Sequence, residues 1–185
     1  MILTYLDEKI ANENGIECRV LDTTAIDFSE ARFGRKSATT LVIRANGGEK
    51  IDTLNKDQLV ESTYVANEGE AIFCNNETDI YVPRNSEGVG CRFDQIEECG
   101  YEVVSAISTE DGRKAMNIKN TKVARILPEV ITEPTCIKDA WGEGSHQFLF
   151  EGATLKQDPE SKKITGIDKN AFDATWEVTG ISQAR

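Results

Sequence analysis

Apolar residues in this chain recur mostly at every second position, in short runs separated by turn residues. Ile16, Cys18 and Val20, then Thr24, Ile26 and Phe28, alternate with polar neighbours, which is the period of a half-buried strand. The β-branched run between Ala38 and Ala45 stops at Asn46-Gly47-Gly48 and predicts another strand. Ala71 to Cys74, Asp79 to Val82 and Val89 to Phe93 follow as short strands, divided by Asn75-Asn76 and Asn85-Ser86-Glu87-Gly88. In the last third, Phe148 to Phe150, Ile164 to Ile167 and the run from Trp176 are strands, with a turn at Asp158-Pro159-Glu160-Ser161.

Helical signals are fewer. Leu3, Leu6 and Ile10 are spaced as on one helix face, Thr4 can cap the start and Asn14-Gly15 can stop it, so residues 3–14 are expected to form a short amphipathic helix. Asn55 with Gln58 has the form of a cap before Leu59 and Val60. Asp94 and Asp168 each precede a predicted helical turn, ending near Glu97 and Phe172. Short strands mixed with short helices, without βαβ spacing, predict an α+β fold with mainly antiparallel sheet.

The grammar repeats. Segments 69–104 and 144–179 align Pro83 with Pro159, Gly90 with Gly166, Phe93 with Ile167, Asp94 with Asp168, Tyr101 with Trp176 and Glu102 with Glu177. We therefore expect two related halves, residues 1–108 and 123–185, joined by a polar connector at 109–122.

Charge narrows the function. Asp and Glu number 32 against 21 Lys and Arg, a net charge of −11, which argues against direct binding to nucleic acid or an anionic membrane surface. No apolar run approaches the ~18 residues a membrane helix needs, and the N-terminus lacks a basic region ahead of an apolar stretch. Five scattered cysteines with no C-x-x-C and a single histidine favour a reducing, cytoplasmic setting and supply no metal site. No phosphate-binding glycine loop or hydrolase signature is present, and no cofactor is expected.

From Lys122-Val123-Ala124-Arg125 through Phe148-Leu149-Phe150-Glu151-Gly152 to Phe172-Asp173-Ala174-Thr175-Trp176-Glu177, the chain resembles small phage and prophage domains of the PGDYG type. Glu151-Gly152-Ala153-Thr154-Leu155 stands in place of the motif that names that family, and Trp176 where a Tyr is usual. The resemblance implies a phage or mobile-element context and carries no activity with it.

Several side chains are candidates for chemistry. His146 follows the glycine-rich loop containing Trp141, and paired with Cys74 or Cys136 it would be the minimum for thiol catalysis. Asp94 and Asp168, or Glu102 and Glu177, could act as paired carboxylates, although capping and solvated strand faces account for them more simply. Arg32 and Arg35, in the densest basic stretch Arg32-Phe33-Gly34-Arg35-Lys36-Ser37, are suited to a phosphate or carboxylate. The leading expectation is a non-enzymatic acidic binding protein that engages a host protein along the seam between its halves, with Arg84, Trp141 and His146 at that seam. The alternatives are a nucleotide or ADP-ribose-like ligand held by Arg32, Arg35 or Arg84, and a small hydrolase or transferase using Asp168, Glu177 or His146.

Overall fold

The computed structural model describes residues 1–55, 57–85, 87–120 and 123–181. Lys122, which opens the family-like segment, and the last four residues of the rear half lie outside these. Strands β1 (Tyr5–Ala11) and β2 (Glu17–Leu21) open the chain, followed by β3 (Arg32–Lys36), β4 (Thr40–Arg44), β5 (Lys50–Leu54), β6 (Val60–Val65), β7 (Ala71–Cys74) and β8 (Ile80–Tyr81). Next come β9 (Tyr101–Ser108), β10 (Lys114–Asn120), β11 (Ala124–Leu127), β12 (Thr135–Lys138), β13 (His146–Leu149), β14 (Thr154–Gln157) and β15 (Ile164–Ile167). Helix α1 (Lys169–Thr175) leads into β16 (Trp176–Ile181), and two 3-10 turns lie at Thr23–Ala25 and Phe93–Gln95.

The expected α+β class is overturned. Strand accounts for 47% of the residues and helix for 7%, so the protein is mostly β. Two of the predicted helices are hairpins. β1 pairs with β2 across a register irregularity between Tyr5 and Lys9, which disturbs the two-residue alternation and leaves Leu3, Leu6 and Ile10 at deceptive helical spacing. Asn14-Gly15, read as a helix stop, belongs to the hairpin turn, with Gly15 at φ +77°.

Asn55 uses capping chemistry in another setting. Its Oδ1 accepts from the backbone N–H groups of Asp57 and Leu59, closing the turn between β5 and β6. Asn12 accepts from Asn14 and Ile16, and Asn85 from Glu87 and Val89, in the same pattern. An Asn that can satisfy N–H groups two and four residues ahead suits a tight turn as well as a helix start.

Three sheets carry most of the molecule, ordered β8-β7-β4-β10-β9, β15-β14-β11-β3-β16 and β1-β2-β12-β13; β5 and β6 form a separate hairpin. The two five-stranded sheets match strand for strand. Crossing the first gives Met116, Val42, Phe73 and Tyr81 in register; crossing the second gives Arg32, Ile126, Lys156 and Thr165. The step from Thr40 to Ala124 equals the step from Gly34 to Ile118, and these residues pair Thr40 with Ile118 and Ala124 with Gly34. β9 bulges at Val104, between the paired Val103 and Ser105, and β16 bulges at Thr179, between Val178 and Gly180.

The correspondence runs through an exchange. β10 sits beside β4 in the front sheet, and β3 sits beside β11 in the rear one. The expected connector at 109–122 therefore contains a central strand, with Ala115 and Ile118 buried. Lys114, Asn117, Lys119 and Asn120 make up most of that strand, which is why the segment reads as merely polar. The registers keep Tyr101 with Trp176 and Glu102 with Glu177, but set Ile80–Tyr81 against Ile164–Thr165, so Gly90 does not correspond to Gly166. Residues 83–92, bridged at Arg84–Gly90, are an elaboration of the front half.

Separate apolar clusters form the cores of the two sheets. Val42, Phe73, Phe93 and Ile118 centre the front one. Leu127, Ile131, Ile137, Leu149 and Leu155 centre the rear one. Cys91 and Cys99 form a disulfide around the Phe93–Gln95 turn, with their Cα atoms 6.3 Å apart, whereas the spacing of the five cysteines had suggested none. Among the described residues no helix is long and apolar enough to cross a membrane.

Candidate functional site

Residues of both five-stranded sheets line a cavity of about 170 Å³. Its walls are drawn from corresponding positions of both sheets: Lys36 and Asn120, Tyr81 and Thr165, Tyr101 and Trp176. Lys36 is opposite Trp176 in one strand pair, and Asn120 is opposite Tyr101 in the other. The β5–β6 hairpin contributes Thr53, Glu61 and Tyr64. Arg84, Asp168 and Trp141 complete the wall.

The front contribution is basic and aromatic. The Arg84 guanidinium is held between two rings, 4.5 Å from the centroid of Tyr64 and 4.7 Å from that of Trp141. Such stacking places a cation where it is poorly hydrated. The Tyr64 hydroxyl donates to Glu70 Oε1 at 2.9 Å, and Glu70 also accepts from the backbone and side chain of Asn67. Gly88 and Gly90 permit the close approaches: a Cβ on the first would lie 2.5 Å from the Trp141 carbonyl oxygen, and one on the second 2.4 Å from Glu70 Oε1.

Lys36 Nζ donates to the Tyr81 hydroxyl and lies 4.9 Å from the centre of that ring. Burial lowers its pKa from 10.5 to about 8, against an opposing pull from Asp79. Asn75 Nδ2 fixes Asp79 by donating to Oδ2 at 2.6 Å, and Asn75 in turn accepts from Thr40. The Tyr81 hydroxyl is pushed up, by burial first and then by Asp79.

Glu61 is 5% exposed, and its Oε1 has no hydrogen-bond partner. Burial holds its carboxyl well above the usual range, and the Asp168 and Asp79 carboxylates push in the same direction. A buried carboxyl among carboxylates keeps its proton. Arg84 Nε is also buried without a partner. On the rear side, Gln147 clasps Gly166 through two hydrogen bonds, Nε2 to its carbonyl at 2.9 Å and Oε1 from its N–H at 2.7 Å. Asp168 caps α1 by accepting from Asn170 N–H.

Of the residues singled out from sequence, Arg84, Trp141 and Asp168 meet at this cavity. His146 does not line it: its Nδ1 is engaged with the Ser145 carbonyl, and across the hairpin it is opposite Lys138, not Cys136. Burial pushes the Cys136 thiol up to about 12 and also raises Cys74, the reverse of what a nucleophile needs. Arg35 pairs with Glu177 at 2.5 Å on the exposed face of β3 and β16, and Arg32 is exposed. Asp94 lies inside the 3-10 turn and does not cap it.

Lys36, Glu61 and Tyr64 were missed. Strand alternation separates Lys36 from Arg35 and sends the two to opposite faces, a signal available in the sequence. Glu61 looked like an ordinary polar residue of a strand. Among the described residues no group of three or more His, Cys, Asp or Glu side chains is arranged to hold a metal ion. No family model, curated protein or solved structure matches this chain.

Proposed function

We propose that this protein binds a small molecule in the cavity between two sister sheets, the products of an internal duplication in which β3 and β10 have traded places. The observation that carries the reading is the pair of buried, unpartnered polar atoms at the cavity wall, Glu61 Oε1 and Arg84 Nε. An orphaned buried polar group costs about 1–3 kcal/mol, and two at one cavity mark a place where an occupant supplies the missing bonds. Clefts between structural units are also where ligands are commonly held. Divergence of the corresponding positions supports a binding role: the rear sheet presents Lys36 and Thr165 where the front one presents Asn120 and Tyr81, giving an occupant chemically distinct walls.

The chain has two tryptophans, and both Trp141 and Trp176 line the cavity. Tryptophan emission therefore responds to changes at this site. A metabolite library spanning anionic, cationic and neutral compounds is expected to yield a ligand that changes tryptophan emission and raises the melting temperature. At a hundred times its dissociation constant such a ligand adds about 2.7 kcal/mol of stability. A library in which no compound moves either signal refutes the reading.

A further inference from the structure

The hydrogen-bonding inventory of the cavity specifies its occupant more narrowly. Glu61 has no cationic partner and faces Asp79 and Asp168, so it is held as a neutral acid with an O–H to donate. Arg84 Nε–H is a donor in every state. Both orphaned groups thus ask for acceptor atoms, and Lys36 adds a cation at the same wall. A cationic or purely donor-bearing ligand leaves both orphaned groups unsatisfied.

The number of negative charges is limited. Asp79 and Asp168 line the same cavity and repel a second negative charge on the occupant, which disfavours phosphate dianions. Size and wall chemistry set the remainder of the molecule. A dry cavity of about 150 Å³ accommodates a benzene ring, and this one measures about 170 Å³ between the rings of Tyr64, Tyr81, Trp141 and Trp176. Aromatic pairs at such walls prefer offset or edge-to-face contact with a ring in the occupant.

We infer that the ligand is a small aromatic monocarboxylate, its carboxylate accepting from Arg84 and the Glu61 acid near Lys36 and its ring lodged among the aromatic walls. This rests on the cavity being a binding site, and the experiment separates the two claims. Benzoate, benzamide, benzylammonium and inorganic phosphate are titrated against the full chain, with tryptophan emission and calorimetry as readouts. Benzoate is expected to bind and the other three to bind at least about tenfold more weakly, since a charge-assisted hydrogen bond is worth about 1.5–3 kcal/mol.

Arg84→Met is expected to weaken benzoate at least about tenfold on the same grounds. If Arg84→Met does not fold, Lys36→Met takes its place with the same expected weakening. Preference for benzylammonium or phosphate, equal binding of benzamide, or benzoate binding untouched by the Arg84 and Lys36 substitutions overturns the ligand class while leaving a cavity that binds. Silence from all four probes also overturns it, and the wider metabolite library then decides whether the cavity binds anything.

Discussion

Replacing Lys36 with Met should change how stability depends on pH, in a direction fixed by the environment of the ammonium. In the folded chain the pKa of Lys36 falls from 10.5 to about 8, chiefly through burial. The folded state therefore holds this proton more weakly than the unfolded state does. Below the folded value both states are protonated and the full penalty applies; between the two values the unfolded chain binds the proton and the folded one does not, so stability rises with pH. The separation corresponds to about 3 kcal/mol, and about 2.5 kcal/mol of it is recovered between roughly pH 7 and pH 10. Met fills similar space with no charge to bury. The absolute stability of Lys36→Met also reflects the loss of the bond to Tyr81 and of the attraction to Asp79, so the informative quantity is the double difference: two proteins at two pH values, each unfolded in urea and followed by tryptophan emission. Wild type is expected to gain about 2–3 kcal/mol more than Lys36→Met on going from pH 7 to pH 10. Equal gains in both proteins refute the claim that the cavity strains this lysine.

Three further outcomes follow from the packing. Gly166→Ala is expected to destabilise the protein by about 1–3 kcal/mol, because its Cβ would lie 2.3 Å from both terminal carbons of Leu149; in urea unfolding, the double variant with Leu149→Ala should lose less than the two single changes added together. Reducing Cys91–Cys99, or replacing both with Ala, should lower stability by about 2–3 kcal/mol from the closure of its short loop, measured by the urea midpoint with and without reductant. Asn85→Ala removes the acceptor for the Glu87 and Val89 N–H groups and should destabilise by about 1 kcal/mol; it should also loosen the loop against Trp141, seen as a shift in emission.

How much of this was legible in the sequence depends on whether each local signal had one structural meaning. The β-branched runs at Thr40–Arg44, Ala71–Cys74 and Ile164–Ile167 did, and they are strands. Asn55 did not, because a side chain that accepts from N–H groups two and four residues ahead serves a helix start and a hairpin turn alike. Other strands were hidden. In the β1–β2 pair irregular register breaks the two-residue period by which a strand is recognised, so one strand passed for a helix, while the polar residues of Lys114–Asn120 made another pass for a connector. The cavity was partly visible: Arg84 and Trp141 were drawn from loop context, but Glu61 could not be, since burial of a carboxyl is decided by a hairpin folding across the seam.

β3, which the rear sheet takes from the front of the chain, brings Lys36 to this seam. The front sheet is drawn wholly from residues 40–120, whereas the rear sheet takes β3 from the front of the chain, so the rear half cannot complete its sheet alone. Stability comes from the apolar clusters of the two sheets and from their strands, where Gly34 lies against Ile126 and Ile118 is buried. The surface between the sheets combines packing with polarity: Tyr81 and Tyr101 pack against the front cluster, and Trp176 belongs to an apolar cluster with Ile126 and Ile167. Lys36, Tyr81, Arg84 and Asp168 occupy that surface, and their burial costs are met by the rest of the architecture. A fold held together in this way can therefore keep an unsatisfied carboxyl and a strained lysine at its centre, which is the condition a pre-formed polar binding site requires.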